Sequence, residues 1–129
     1  MKALIQRVAR GQVTVDGRVT GRIDRGVVVL LGVKTGDAEE EARFLAGRTA
    51  ALRIFPDEAG KMNRSLVEIG GGALVVSQFT LHADTRKGNR PSFIRAAPPE
   101  VAERLYGHYV DCLRRILGPC HFTTNWHSP

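Results

Sequence analysis

Hydrophobic and polar residues alternate along the first part of the chain with the two-residue period of half-buried β-strands. Residues 1–9 follow this pattern, and two further alternating runs, 12–15 and 18–20, flank Asp16-Gly17. The dipeptide Asp-Gly is typical of the type I′ turn that closes a β-hairpin. We therefore predict that the chain opens as an antiparallel β-meander.

Longer patterns extend this prediction to the rest of the chain. Residues 26–33 are apolar on both faces, which indicates a central strand that is covered on both sides. Residues 37–52 carry apolar side chains at helical spacing after an acidic first turn, and they predict an amphipathic helix. A second helix is predicted to begin at Pro98-Pro99 and to end at Gly118-Pro119, with a buried stripe of Val101, Leu105, Tyr109, Cys112 and Ile116.

Further strands are predicted at residues 52–55 and 73–81, which makes about six strands and two main helices. At 129 residues the chain is long enough to bury one core without disulfides or metal. We therefore expect an α/β fold. It would be a single compact domain over residues 1–129, with a mixed, largely antiparallel β-sheet or barrel-like core and two main helices.

The strand predicted at residues 73–81 begins apolar and ends with Ser77, Gln78 and Thr80. Buried polar groups cost free energy unless they are hydrogen-bonded, so this strand end is a candidate site. Alternate residues of a strand share a face, which would place Gln78 and Thr80 on one side and Ser77 and Phe79 on the other. Backbone N–H groups and the Gln78 amide could polarise a carbonyl, while the Thr80 hydroxyl orients or attacks it. In the alternative interpretation Ser77 and Thr80 bond within the sheet and Gln78 faces solvent.

The charge of the chain favours polyanionic partners. The formal net charge is +6 and the sequence pI is near 10.0, which favours nucleic acid first and an anionic membrane second. Arg86, Lys87, Arg90 and Arg95 form a basic loop with Phe93 available to stack, so this loop either binds phosphate or is an ordinary solvated surface. We find no segment of the roughly 20 apolar residues that a membrane span needs, and no signal peptide, so we expect a cytoplasmic protein.

Cysteine and histidine usage does not indicate a metal site or a cofactor. Cys112 is expected in the core, and both cysteines are expected to stay reduced. A metal site built from Cys120, His121 and His127, or from His82, would not match the ligand spacing of a closed zinc site. His82 is also a candidate general base, although the sequence indicates no partner for it.

Eight short blocks, in this order, resemble the D-aminoacyl-tRNA deacylase family, formerly called D-tyrosyl-tRNA deacylase. The resemblance covers about residues 1–117, and the ordered set is more specific than any single block. The blocks are 6–8, 30–33, 52–55, 60–63, 77–81, 83–88, 90–93 and 96–100.

The resemblance implies a homodimeric esterase that removes D-amino acids from tRNA, and also glycine mischarged on tRNA for alanine. Its Ser-Gln-Phe-Thr signature corresponds to Ser77, Gln78, Phe79 and Thr80, with the terminal adenosine near Phe79. The family reaction is RNA-assisted and needs no metal, since the 2′-hydroxyl of that adenosine takes part. Arg7 would support the site on its dimer-facing side. From the charge we add that Arg86, Lys87 and Arg90 contact tRNA phosphate.

Residues 118–129 depart from the family pattern. The family has a Gly-Ala-x-Met strand and then an Asn-x-Gly-Pro-x-Thr motif, which rejects L-amino acids in the partner's site, and this chain has neither. The tail is therefore either the result of a truncation or frameshift, or it belongs to a divergent member with another selectivity device. Loss of the strands predicts exposed sheet edges. It also leaves open an alternative function, a tRNA-binding module with impaired catalysis.

Overall fold

The fold is organised by a four-stranded mixed sheet, as seen in a computed structural model that describes residues 1–82, 86, 88–90, 95–118 and 122–125. The strands in spatial order are β1 (Lys2–Val8), β4 (Gly26–Gly32), β7 (Gly72–Ser77) and β8 (Phe122–Asn125). β1 pairs with β4 antiparallel, whereas β4–β7 and β7–β8 are parallel pairs. The prediction that the apolar strand at 26–33 is central is confirmed.

The hairpin predicted around Asp16-Gly17 is confirmed. β2 (Gly11–Val15) and β3 (Arg18–Ile23) form a separate antiparallel sheet, and the φ angles of Asp16 and Gly17 are 51° and 77°, as a type I′ turn requires. The predicted meander is wrong in one respect, because β1 pairs with β4 and not with β2. β4 is buried and needs a hydrogen-bonding neighbour on each edge, and β1 and β7 are those neighbours.

Both predicted helices are present, as α1 (Glu39–Ala51) and α3 (Pro99–Leu117), so the predicted mixed α/β fold with two main helices is confirmed. They pack on each other and on one face of the main sheet, where Val27, Val29 and Leu31 of β4 belong to the same buried cluster as both helices. Two tyrosine hydroxyl groups are buried in this layer with partners. Tyr109 Oη lies 2.8 Å from Thr49 Oγ1, and Tyr106 donates to the carbonyl oxygen of Val75 at 2.7 Å.

The stripe predicted for α3 is correct at its centre and wrong at its end. Leu105 and Tyr109 are fully buried, and Val101 and Cys112 are half-buried. Ile116, however, is 44% exposed. It lies beyond Leu113, the last buried residue of the helix, so the final turn extends past the core.

The segment between α1 and β7 contains two very short strands and one helical turn. These are β5 (Phe55–Pro56), β6 (Met62–Arg64) and α2 (Leu66–Ile69). The strand predicted at 52–55 is wrong for residues 52–54. The N–H of Leu52 still donates to the carbonyl oxygen of Arg48 in the last turn of α1, and strand pairing begins only at Phe55. None of the helices that the structure describes combines the length and the apolar run that crossing a bilayer requires.

The tail contains a strand, contrary to the expectation that residues 118–129 lack one. β8 pairs in parallel with β7, from Ala73 opposite Phe122 to Val76 opposite Asn125. It thereby supplies hydrogen-bonding partners to the edge of β7 that faces away from β4. Residues 119–121 and 126–129, which include Cys120, His121 and His127, lie outside the described residues.

Candidate active site

The candidate site residues lie where three parallel strands end. β4, β7 and β8 run in the same direction, and their carboxyl ends meet at one edge of the main sheet. Ser77 is the last residue of β7 and lies opposite Leu31, whose carbonyl oxygen accepts the N–H of Gln78 at 2.8 Å. Such an edge is where ligands commonly bind in sheets with parallel strands.

The strand predicted at 73–81 ends at Ser77, and a 3-10 turn, Phe79–His82, follows it. The predicted alternation of Gln78 and Thr80 with Ser77 and Phe79 is therefore wrong. The pairing with β4 stops at Leu31, so the chain beyond Ser77 has no β4 partner and folds over Gly32. Ser77 and Gln78 are half-buried at this edge, whereas the side chains of Phe79 and Thr80 lie outside the described part of the structure.

Gly32 and His82 hold the 3-10 turn against the end of β4. A Cβ atom at Gly32 would lie 2.9 Å from Leu81 Cβ and 3.0 Å from the carbonyl oxygen of Gln78, so only glycine allows this approach. The His82 side chain is 4% exposed, and its Nε2 lies 3.0 Å from the carbonyl oxygen of Gly32.

The environment of His82 keeps its imidazole neutral. Burial lowers its pKa below the ordinary value, and the positive N-terminal amine and Lys2 add to this effect, while the hydrogen bond to Gly32 opposes it. The ring is therefore placed to fix the turn rather than to meet a substrate in solution.

Lys2 contributes to this edge without having been predicted to do so. Its Nζ donates to the carbonyl oxygen of Leu81 at 3.2 Å. The Met1 amine pairs with Asp37 at 2.7 Å, and both groups are almost fully buried. Only the antiparallel register of β1 with β4, which sets Lys2 opposite Gly32, brings these residues here. Nothing in the local sequence around Lys2 indicates that pairing.

Arg7 lies at the other end of the sheet from Ser77. Arg7 is opposite Val27 of β4, whereas Ser77 is opposite Leu31, four residues further along, on the other side of β4. The Cα atoms of Arg7 and Ser77 are therefore about 16 Å apart by strand geometry. The Arg7 guanidinium donates to the carbonyl oxygen of Ile54 at 2.7 Å. One chain therefore does not bring Arg7 together with residues 77–80.

The basic loop leaves the 3-10 turn and returns to the same edge of the sheet. Thr35 N–H donates to the carbonyl oxygen of Arg95 at 2.9 Å, and Ala97 N–H donates to that of Val33 at 3.0 Å. Arg86, Arg90 and Arg95 are exposed, and Lys87 lies outside the described residues. The loop that carries these exposed cations therefore begins and ends near the carboxyl ends of β4 and β7.

Comparison with known proteins extends the resemblance over nearly the whole chain. Residues 4–125 match the family described as D-Tyr-tRNA(Tyr) deacylase, so the match continues through β8. A protein of Deinococcus deserti named D-aminoacyl-tRNA deacylase is 60% identical over 114 residues, which are 88% of this chain and 78% of that protein. One of Geobacter metallireducens with the same name is also 60% identical over 114 residues, 88% of this chain and 76% of its own.

Two solved structures share the fold. One is titled c-Myc DNA Unwinding Element Binding Protein; it has a TM-score of 0.92 and 38% identity, and covers 98% of this chain and 85% of its own. The other, a probable eukaryotic D-amino acid tRNA deacylase, has a TM-score of 0.75 and 23% identity, and covers 90% of this chain and 68% of its own. At that identity the second structure supports the fold alone. The family match and the relatives together establish that this chain belongs to the D-Tyr-tRNA(Tyr) deacylase family.

Proposed function

We propose that this chain hydrolyses the ester bond between a D-amino acid and the 3′ end of tRNA, and that it also accepts glycyl-tRNA. The observation that carries this proposal is the family match over residues 4–125, together with relatives at 60% identity that are named D-aminoacyl-tRNA deacylase. These names do not favour the alternative of a tRNA-binding module without catalysis. Water cleaves the bond between the carbonyl carbon of the amino acid and the ribose oxygen. Its hydroxyl group joins the carbonyl carbon to form the free carboxyl group, and its proton goes to the ribose oxygen.

The chemistry is proposed to use backbone groups at the carboxyl edge of the sheet. The N–H of Gln78 already donates to Leu31, so it is not available to a substrate. The first N–H groups of a 3-10 turn have no acceptor within the turn, which makes those of Phe79 and Thr80 the candidate donors to the developing oxyanion. Ser77 and the Gln78 side chain, both half-buried, would orient the ester, and Phe79 would face the adenosine.

In this mechanism Thr80 orients the substrate and the 2′-hydroxyl of the terminal adenosine assists the attack of water. Thr80→Ala should then keep much of the activity. A matched D-aminoacyl-tRNA that ends in 2′-deoxyadenosine, with its ester on the 3′-oxygen, should be cleaved far more slowly by the wild-type protein. The reverse result, a collapse with Thr80→Ala and normal cleavage of the deoxy substrate, would identify Thr80 as the nucleophile instead.

We place Arg7 in the site through a homodimer. The distance between Arg7 and Ser77 within one chain supports a composite site, in which Arg7 of a second copy approaches residues 77–80. Mixing an Arg7→Ala chain with a Gln78→Ala chain should restore activity that neither has alone, because a heterodimer contains one intact site. Full activity in a species that sediments as a monomer would refute this arrangement.

The tRNA would reach the site along the basic loop, where Arg86, Lys87 and Arg90 meet phosphate in a sequence-independent way. We place the reaction in the cytoplasm, where aminoacyl-tRNA is used in translation. Replacing the three cations together should weaken tRNA affinity equally for every amino acid that is carried. An effect confined to one amino acid would contradict a phosphate-binding role.

The test of the proposed function is deacylation of matched D-tyrosyl-, L-tyrosyl- and glycyl-tRNA, corrected for spontaneous hydrolysis without protein. Cleavage of the D-tyrosyl and glycyl esters, with the L-tyrosyl ester left intact, is the expected result. Cleavage of all three would support the esterase but not the chiral selectivity. If folded protein binds tRNA in a salt-dependent manner but cleaves none of the esters, the binding-module alternative replaces the esterase.

A further inference from the structure

A group of exposed arginines lies at the end of the sheet opposite to the candidate active site. The chain reverses twice there, between β1 and β2 and between β3 and β4, and the register sets Val8 opposite Gly26 and Gly11 opposite Ile23. The two reversals are therefore neighbours. Arg10 and Arg25 lie in these reversals, and Arg22 lies in β3 one residue before its end. All three are exposed, and we call them the arginine rim.

Two adjoining grooves run along the rim. The first, of about 500 Å³, is lined by Arg10 and Arg22 together with Gly11, Gln12 and Asp24. The second, of about 340 Å³, is lined by Arg25 and Arg7 and has Val8, Ala9, Phe55 and Pro56 as its other walls. Residues 7–9 line the second groove and residues 10–12 line the first, so consecutive residues of the chain pass from one groove to the other. Each groove thus has arginine side chains on its wall.

The rim arginines form no close ion pair with the described carboxylates, although Arg25 also lines a neighbouring groove together with Asp57, Glu58 and Glu68. Within the described ranges, no carboxylate forms an ion pair within 4.0 Å of Arg10, Arg22 or Arg25. The Arg25 guanidinium lies 5.5 Å from the centre of the Phe55 ring, which is within the range of a cation–π contact that orders it. Asp24 is the single acid that lines either groove.

This arrangement matches the phosphate backbone of RNA better than a lipid surface. Every cation that lines these grooves is arginine, whose fork of N–H donors binds phosphate oxygens in pairs. A membrane surface is typically bound by protruding apolar side chains beside lysines and arginines, whereas the apolar residues of the rim form the walls of a concave groove. Two charged grooves side by side also suit an anion with repeating charges.

We propose that the arginine rim is a second RNA-contact surface, which binds backbone phosphates of tRNA away from the ester bond. The proposal rests on the proposed function, since it assumes that tRNA is the substrate. Gly26 and Gly32 at the two ends of β4 are six residues apart, so the rim lies about 20 Å from the candidate active site of the same chain. In the proposed homodimer Arg7 approaches the partner's site, whereas Arg10 and Arg22 line the groove that does not contain Arg7. Contacts made by Arg10 and Arg22 would therefore raise the affinity for tRNA without involving a residue of the candidate site.

The experiment compares Arg10→Gln/Arg22→Gln with a control of equal charge, Arg43→Gln/Arg48→Gln on the exposed side of α1. Binding of uncharged tRNA is measured across a series of salt concentrations. We expect the rim variant to bind at least about tenfold more weakly near 0.1 M salt. The slope of log affinity against log salt should fall by about one for each phosphate contact that is lost. The control should change affinity by less than about threefold.

A second measurement separates binding from folding and from chemistry. Both variants should melt like the wild-type protein. Both should also hydrolyse D-tyrosyl-adenosine at the wild-type rate, because this substrate lacks the phosphates that Arg10 and Arg22 are proposed to bind. Equal tRNA affinity in the rim variant and the control would overturn the proposal. So would loss of binding to anionic lipid vesicles with tRNA binding unchanged. Binding of uncharged tRNA needs no turnover, so failure of the proposed esterase activity would be seen separately.

Discussion

The close contact between Gly32 and the 3-10 turn at the candidate site can be tested by a single substitution. Gly32 ends β4 beneath the 3-10 turn, and an added Cβ atom would lie 2.9 Å from Leu81 Cβ, 3.0 Å from the Gln78 carbonyl oxygen and 3.1 Å from His82 Cδ2. None of these atoms is the free end of a flexible side chain. Gly32→Ala therefore requires the turn itself to move by a few tenths of an ångström.

The size of the effect follows from this geometry. Overpacking a close contact typically costs about 1–3 kcal/mol, and replacing glycine in a strand by alanine returns about 0.5–1 kcal/mol. The expected net loss of unfolding free energy is about 1–2 kcal/mol, which corresponds to a decrease in Tm of about 4–8 °C for a chain of this size. Because reacting groups must be placed within fractions of an ångström, kcat/KM for D-tyrosyl-tRNA should fall at least about tenfold.

Gly107→Ala is the matched control for this variant. Gly107 lies within α3, and an added Cβ atom there would meet no other atom within 4 Å. Alanine favours a helix by about 1 kcal/mol over glycine, so this variant should melt at or above the wild-type temperature with unchanged activity. Thermal melting and deacylation of D-tyrosyl-tRNA are measured on both. A Gly32→Ala protein that is as stable and as active as the wild type would refute the role given to the close contact.

Three further predictions concern stability. Burial raises the pKa of Tyr109 to about 12 from its ordinary value of 10.0. The unfolding free energy should therefore fall by about 3 kcal/mol between pH 10 and 12, where only the unfolded chain ionises, and urea titrations should show that Tyr109→Phe lacks this loss. Burial lowers the pKa of His82 from 6.5, so stability that is present above pH 6.5 should be lost as the pH falls, and His82→Gln should flatten this acid dependence in the same titrations. Ser65→Ala removes the hydroxyl that accepts Glu68 N–H at 3.2 Å at the start of α2, and should lower the unfolding free energy by about 1 kcal/mol; an unchanged urea midpoint would contradict the cap.

Elements with a local physical cause could be predicted from the sequence. The hairpin at Asp16-Gly17 depends on two adjacent left-handed residues, and α1 and α3 depend on apolar spacing with acidic and proline-containing first turns. These signals need no knowledge of the rest of the fold. The partner of β1 could not be predicted in this way, because it depends on which other strand has backbone N–H and C=O groups without a partner along one edge.

The end of β7 was predicted incorrectly for a tertiary reason. Residues 73–81 carry a strand pattern throughout, yet the ladder with β4 stops at Ser77, opposite Leu31. The carbonyl oxygen of Gly32, the next residue of β4, contacts His82 of the 3-10 turn instead. Gly32 then provides the space into which the turn folds. The sequence thus located the candidate site, whereas the backbone that shapes it depends on a glycine 45 positions before Ser77.

Strand β8 in the tail also depends on tertiary pairing, and it lies next to the candidate site. Four residues, Phe122–Asn125, are too few for an alternating pattern to be recognised, so no strand was expected there. The parallel edge of β7 nevertheless requires a partner, because Leu74 and Val75 are fully buried and their backbone groups have no access to water. β8 fills that edge and brings a third parallel strand to the carboxyl end, beside the start of the 3-10 turn. A segment in which the sequence indicated no strand therefore completes the sheet on which the candidate active site is built.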